Sequence, residues 1–256
     1  MNSGRTFARH YRFQANTMDR LKLLLTWFGL PVYIWQGLGV RLRTERMPPP
    51  TGPQTGRLKG KGEEFRLLIL GDSSAVGIGV TQTSDNLGSQ LARFLNEDTG
   101  RPVTWRTAGF NSATSGQIRD QVVPNLQPGD WTHIALSIAT NDVKNFHTLS
   151  RFKREFGGLI YALTARFPHA AIYWSPALDM RDVPALPSPM DALLEIRSRA
   201  FNKLGARLCA ERGAIAIDRL PEVTPEGFSS DGFHAGAAGY EYWARHLASQ
   251  ILQDRD

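Results

Sequence analysis

The 256-residue chain is poor in cysteine, and acidic residues are scarce at one end of it. Cys209 is the only cysteine, so the chain can form neither an internal disulfide nor a metal site made of several cysteines. Residues 1–62 hold 2 Asp/Glu against 11 Lys/Arg, a net charge of +9, whereas residues 63–256 hold 22 against 19, a net charge of −3. Because an enzyme acting on nucleic acid carries positive charge around its site, we expect no nucleic-acid partner.

Charged residues are also absent between Lys22 and Arg41, a run dominated by Leu, Ile, Val and Trp. Its length is near the lower limit for crossing a bilayer, but Pro31 would kink a helix near its middle. Polar or small residues recur at helical spacing and would form a narrow stripe: Lys22, Thr26, Gly29, Tyr33 and Gln36. The pattern predicts a helix over about residues 20–42 that lies in a membrane interface.

Residues 1–46 are therefore interpreted as a basic, apolar N-terminal arm. Arginines on both sides of the helix favour an anionic membrane surface, bound through residues 20–46. This predicts a protein at a bacterial-type inner membrane, on a side that the flanking charges do not define. The alternatives are an arm that packs on protein, which would suit a cytoplasmic location, and a processed segment. Residues 47–63 are rich in Pro and Gly and are predicted to be a linker.

From Phe65 onward, short apolar segments alternate with amphipathic ones. The predicted strands cover residues 65–70, 103–108, 132–138, 170–175 and 214–218. The predicted helices cover residues 86–98, 116–126, 150–167, 190–212 and 236–252. This alternation is typical of parallel strands joined by crossover helices on both faces of a sheet. Residues 64–256 are therefore expected to form a three-layer α/β/α domain around a five-stranded parallel sheet.

Polar residues that can carry out catalysis follow the ends of the predicted strands. Ser73 follows the first strand and Asn141 the third, and such ends meet at one edge of a parallel sheet, where ligands bind. A serine hydroxyl needs a base to become a nucleophile. His234 offers an imidazole, and Asp231, three residues earlier, offers a carboxylate to orient it. His147, on the loop after Asn141, is the alternative base.

Three motifs carry a resemblance to a known family. Gly71-Asp72-Ser73-Ser74 follows the first predicted strand, Asn141-Asp142 follows the third, and Ser230-Asp231-Gly232-Phe233-His234 precedes the last helix. In this order, over about residues 65–253, they resemble the SGNH (GDSL-type) hydrolases. The longer string at residues 71–80 is similar to the bacterial lysophospholipase-like or esterase-like branch of that family. The resemblance implies a flavodoxin-like fold and no metal or organic cofactor.

The resemblance also implies the roles of individual residues. Ser73 would be the nucleophile, His234 the base and Asp231 its partner. The developing oxyanion would be held by the N–H of Ser73, the amide of Asn141 and the N–H of Ser112, with Gly109 as the alternative to Ser112.

Two positions depart from the family pattern. Ser112 and Ala139 stand where the family usually has glycine. A side chain is tolerated there only if the backbone dihedral angles suit a residue with a Cβ.

The leading hypothesis is a cofactor-independent serine esterase or lipase that cleaves carboxylic esters through an acyl-enzyme. A small-molecule ester is the general expectation, and the apolar arm suggests a lipid or lysophospholipid ester. The Pro-rich stretch Asp179–Pro189, which includes Met180 and Leu186, is expected to line the substrate pocket together with Met190.

Other functions stay open. The same acyl-enzyme can transfer its acyl group to a sugar or another alcohol, and a carbohydrate O-deacetylase would use the same residues. The loop after the first strand can instead bind a phosphate-bearing nucleotide or flavin. Against this, Asp72 places a negative charge in the loop and no lysine follows as in a P-loop. A membrane-tethered scaffold without activity is the last alternative.

Overall fold

The computed structural model describes residues 17–43, 47–221 and 223–254, and within them six strands form one sheet. The strands are β1 Thr55–Leu58, β2 Phe65–Gly71, β3 Val103–Gly109, β4 His133–Ser137, β5 Ala171–Ser175 and β6 Ile215–Ala216. Their order across the sheet is β1-β3-β2-β4-β5-β6. Strands β2 to β6 are parallel, whereas β1 is antiparallel to β3.

The five parallel strands are confirmed, with boundaries within about two residues of those predicted. The sixth strand corrects the sequence analysis, because β1 lies inside residues 47–63, which were predicted to be a linker. Its four residues alternate between exposed and half-buried positions and include no apolar run. Its partner β3 is also remote along the chain. A local sequence pattern therefore reveals neither this edge strand nor its partner.

The described part of the chain contains nine α-helices, of which α3, α5 and α6 are short. They are α1 Thr17–Phe28, α2 Leu30–Arg43, α3 Ser73–Val76, α4 Leu87–Thr99, α5 Ser115–Gln117, α6 Thr140–Lys144, α7 Leu149–Arg166, α8 Met190–Glu211 and α9 Ala237–Gln253. The helix predicted over residues 116–126 is instead α5 followed by a wide turn at Ile118–Val122 and a tight one at Val123–Asn125. Pro124 lacks the N–H that a continuous helix requires.

Apolar side chains cover both faces of the sheet. Because successive residues of a strand point to opposite faces, Leu68 and Leu70 of β2 join a core with α7 and α8. Leu67 and Ile69 join a second core with α4 and α9. This confirms the three-layer α/β/α fold. Strand β3 lies on one side of β2 and β4 lies on the other, so the direction in which strands are added to the sheet reverses between β2 and β4. Ligands bind at this point in flavodoxin-like sheets.

Helices α1 and α2 pack on the domain through the polar stripe. Thr26 is buried, the Tyr33 hydroxyl donates to the carbonyl of Lys144 at 2.6 Å, and the Gln36 amide donates to the carbonyl of Ser188 at 2.9 Å. The arm therefore packs on protein in its described part, which was the alternative prediction. Residues 1–16 and 44–46 of the arm lie outside the described residues. Membrane binding by the opposite face stays a prediction.

No single described helix is both long and apolar enough to cross a membrane. Residues Leu21–Phe28 and Leu30–Arg43 meet that requirement only as a pair, and the pair is bent by 62°.

Candidate active site

The loop after β2 carries the candidate nucleophile. Only glycine fits at position 71, because a Cβ there would lie 1.8 Å from the carbonyl oxygen of Ser137 on the neighbouring strand. Asp72 caps α3 by accepting the N–H of Ser74 at 3.1 Å. Ser73 is the first residue of α3, so its N–H has no acceptor within the helix. The end of the strand thus presents both a hydroxyl and an unpaired helix N–H.

The candidate base and its partner lie in the turn before α9. The Nδ1 of His234 lies 2.5 Å from one carboxylate oxygen of Asp231. The other oxygen accepts the N–H groups of Phe233 at 2.8 Å and His234 at 2.9 Å, and the hydroxyl of Ser229 at 2.7 Å. Burial favours a higher pKa for Asp231, but these hydrogen bonds outweigh it and hold the pKa well below its ordinary value. An ionised Asp231 fixes the proton on Nδ1 and leaves Nε2 of His234 to accept another.

Ser73 and His234 line one cavity at the carboxyl edge of the sheet. The loop after α3 approaches the turn of His234 at Gly79, which has a φ of +112°. A Cβ on Gly79 would lie 2.2 Å from the carbonyl oxygen of Ala235 and 3.0 Å from the Cβ of His234. Within the described residues no hydrogen bond joins the Ser73 hydroxyl to the imidazole; such bonds are often long in unliganded sites and tighten when substrate binds.

Asn141, the candidate oxyanion donor, is buried in the wall of this cavity. Its Nδ2 donates to Asp72 Oδ2 at 3.1 Å and to the carbonyl of Ala113 at 3.0 Å. Both amide hydrogens are therefore occupied, and a bound oxyanion has to replace one of these acceptors. Asp72 itself is buried, and this burial raises its pKa despite the hydrogen bonds from Ser74.

The two departures from the family pattern share an unusual backbone. Ser112 has a φ of +65° and Ala139 a φ of +114°, values that favour glycine. The backbone thus keeps a glycine-like conformation at both positions although each residue carries a side chain. Ser112 is exposed, and neither Ser112 nor Gly109 lines the cavity. Their part in holding an oxyanion stays a prediction.

The cavity encloses about 90 Å³, and most of its wall is apolar. Apolar side chains in the wall include Ile138, Met180, Val183, Phe228, Phe233 and Trp243. The prediction that Leu186 and Met190 line the pocket was wrong, because neither residue borders this cavity. The Asp179–Pro189 stretch does contribute, through Met180 and Val183. Most of the wall comes from segments remote in sequence, and no local pattern marks them.

His147, the alternative base, does not line the cavity. Its Nδ1 lies 3.1 Å from Asp142 Oδ1 and 3.7 Å from Glu155 Oε2, in a buried cluster. The ligand atoms of these three residues lie within 4.8 Å of one another, a spacing that can hold a metal ion. However, Asp142 also accepts the N–H and hydroxyl of Ser115, so the cluster already ties α6 to α5 and α7. We interpret it as structural support for the helix that carries Asn141.

Comparison with known proteins places this geometry in a family. Residues 69–242 match the GDSL-like Lipase/Acylhydrolase family. The chain is 24% identical over 200 residues to a GDSL-like esterase of Mycobacterium tuberculosis, a match that covers 74% of this chain and 60% of that protein.

Solved structures with a similar fold include a family 3 carbohydrate esterase of Clostridium thermocellum, with a TM-score of 0.60, 16% identity, and coverage of 75% of this chain and 97% of that one. An acetyl xylan esterase of Geobacillus stearothermophilus gives a TM-score of 0.54 at 16% identity, and the match covers 75% of this chain and 96% of that one. An extracellular lipase of Streptomyces rimosus gives a TM-score of 0.54 at 15% identity, and the match covers 73% of this chain and 99% of that one. The family match spans more than half of the chain and agrees with the resemblance seen in its motifs, so this protein belongs to the GDSL-like lipase/acylhydrolase (SGNH hydrolase) family.

Proposed function

We propose that the protein is a serine esterase that hydrolyses carboxylic esters with a short acyl group through an acyl-enzyme. The observation that carries this proposal is the shared cavity: the Ser73 hydroxyl and the His234 imidazole, held by Asp231, line one small apolar chamber.

Ser73 Oγ attacks the ester carbonyl while Nε2 of His234 takes the hydroxyl proton. The resulting imidazolium donates that proton to the oxygen of the leaving alcohol, and Ser73 is left acylated. Water then attacks the acyl-enzyme, again giving a proton to His234, and the carboxylic acid leaves as Ser73 regains its hydrogen. Asp231 stays ionised throughout, orients the ring and stabilises its positive charge.

The oxyanion is held by the N–H of Ser73 and the side-chain amide of Asn141. In this mechanism the oxyanion replaces Asp72 as the acceptor of one amide hydrogen of Asn141. Losing one such donor typically costs about 2.7–4 kcal/mol in the transition state. The N–H of Ser112, or of Gly109 in its place, is the third candidate donor.

The size of the cavity supports a short acyl group. At about 90 Å³ it is smaller than the roughly 150 Å³ cavity that accommodates benzene in another protein. An acetyl or similarly small group fits beside Met180 and Val183, whereas a long chain requires the wall to open. The acetyl xylan esterase among the similar structures supports the same choice. A lipid ester is the second candidate, supported by the exposed apolar side chains of the arm.

A series of 4-nitrophenyl esters tests the short-acyl proposal. We expect kcat/KM to be highest for the acetyl ester and at least tenfold lower for the octanoyl ester, because each methylene that a pocket cannot hold costs about 1–3 kcal/mol. Met180→Ala should move the preference toward the butyryl or hexanoyl ester. Met190→Ala, which truncates a similarly buried methionine outside the cavity, should leave the preference unchanged. A wild-type preference for octanoyl would contradict the proposal and favour the lipid ester.

A further inference from the structure

The outer face of the arm combines exposed apolar side chains with helical order. Thirteen large hydrophobic side chains are exposed among the described residues, and ten of them lie between Leu21 and Leu42. Phe28 is 82% exposed, Trp35 75% and Leu42 85%. A concentration of this kind is unusual on a protein surface and marks an interaction site.

The amphipathic pattern of the arm is reversed relative to that of an ordinary surface helix. Its polar stripe faces its own domain: the Thr26 hydroxyl accepts from buried Arg197, the Tyr33 hydroxyl donates to Lys144, and Gln36 donates to Ser188. A surface helix normally turns its apolar side inward and its polar side to water. Because these polar groups bond to the domain, the apolar side is left for another partner.

Positive charge lies directly beside this apolar face. A groove of about 580 Å³ runs between α1, α7 and α8, and five basic side chains and one acidic side chain, Glu195, line it. The basic residues are Lys22, Lys153, Arg181, Arg199 and Lys203, of which Arg181 is paired with Asp179 and Arg199 with Glu195. Arg41 and Arg43 add two more basic residues in the last turn of α2. Apolar helices next to clustered Lys and Arg are complementary to the anionic surface of a phospholipid bilayer.

We propose that the outer face of α1 and α2, together with this basic groove, docks the protein on an anionic lipid bilayer. We call this surface the docking face. The helices lie in the interface with Phe28, Trp35 and Leu42 among the acyl chains, and the groove meets lipid phosphates. A second copy of the chain is a less suitable partner for the docking face. A two-fold contact sets identical patches against each other, so the two basic grooves would lie close together and repel.

The docking face is close to the active-site cavity. Tyr33 contacts the carbonyl of Lys144, and the Nζ of Lys144 lies 5.0 Å from the ring centre of Phe233, which lines the cavity. Binding a bilayer therefore holds the site near the membrane surface. Attachment of this kind does not depend on whether the protein hydrolyses esters.

Vesicle sedimentation with the full chain tests the proposal. We expect the wild type to bind vesicles of phosphatidylcholine containing 30% phosphatidylglycerol, and to bind pure phosphatidylcholine more weakly. Phe28→Ser, Trp35→Ser and Leu42→Ser combined should lower the partition coefficient about 100-fold, because each side chain loses apolar burial. Lys22→Gln and Lys153→Gln should each lower it about fivefold, only on anionic vesicles.

Tyr242→Ser provides the matched control, because Tyr242 is an exposed aromatic on α9, against the opposite face of the sheet. It should bind like the wild type. Thermal unfolding of every variant separates lost binding from lost folding. The proposal would be overturned if the wild type bound neither kind of vesicle. It would also be overturned if light scattering showed that the lipid-free protein is a dimer which the triple substitution dissociates, while vesicle binding stays unchanged by that substitution.

Discussion

At the scale of single residues, Asp231 illustrates how a turn sets the charge and the orientation of a buried carboxylate. One of its oxygens meets the imidazole of His234, and the other accepts three hydrogen bonds from its own turn. Burial of a carboxylate normally favours the neutral acid, so without these donors Asp231 would be a weaker partner for an imidazolium. The turn therefore keeps the carboxylate charged and its orientation constant.

Asp231→Asn should lower kcat by about 10³–10⁴-fold at neutral pH with little change in KM. The amide cannot stabilise the imidazolium, and it favours the tautomer that leaves Nε2 of His234 protonated. Steady-state kinetics on the acetyl ester measure this effect. Asp218→Asn, which neutralises an exposed carboxylate, should retain full activity. Equal losses in the two variants would contradict the role of Asp231.

The same variant should change how stability depends on pH. The pKa of Asp231 in the folded protein lies below the ordinary value of about 3.9, so its charge stabilises the fold above about pH 4. That contribution is lost as the pH falls through the folded-state pKa. Urea unfolding between pH 3 and pH 7 should therefore show a smaller loss at acid pH in Asp231→Asn than in the wild type.

Site residues were predictable to different degrees. Ser73, Asp231 and His234 occur in short motifs with a chemical rationale, and the structure brings all three to one place; their catalytic roles stay predictions. The hydrogen bonds that occupy both amide hydrogens of Asn141 could not be anticipated, because its acceptors Asp72 and Ala113 come from two other loops.

At the scale of elements, the sequence predicts well what is local and apolar. Strands β2, β4 and β5 are largely apolar runs buried between two helix layers, and their boundaries follow from where those runs end. Strand β3 is mixed in composition and mostly half-buried. Strand β1 was missed because it forms by pairing with β3, which is remote in sequence, and its own residues form no apolar run. The sequence also did not show that the polar stripe of the arm faces the domain, because this orientation depends on acceptors such as the carbonyls of Lys144 and Ser188.

Tyr33→Phe tests the contact between the arm and the domain. Burial raises the pKa of Tyr33 to about 12, so the hydroxyl stays protonated and donates to the Lys144 carbonyl across the neutral range. Its removal should lower the free energy of unfolding by about 1 kcal/mol. Tyr161→Phe, which removes an exposed hydroxyl, should change nothing measurable by urea unfolding. Equal stability of the two variants would contradict the packing of α2 on α6.

At the scale of the whole molecule, the positive charge lies mostly in residues 1–62 and the candidate active-site residues lie in the domain that follows. The basic, apolar arm and the slightly acidic α/β domain were recognisable from composition alone. The order of the motifs was enough to predict the family and the three-layer fold, because each motif follows or precedes an element of known place in such a sheet. The size of the cavity was not predictable, since its wall is assembled from side chains of several remote segments.

The proposed mechanism requires that Ser73 becomes covalently acylated with the help of His234. A fluorophosphonate probe followed by intact-mass and peptide mass spectrometry tests it most directly. We expect one probe per chain, attached to Ser73, with no labelling of Ser73→Ala and at least about 100-fold slower labelling of His234→Ala. Ser74→Ala, which removes the neighbouring hydroxyl, should still be labelled. Labelling that persists in Ser73→Ala, or that maps to another residue, would contradict the account.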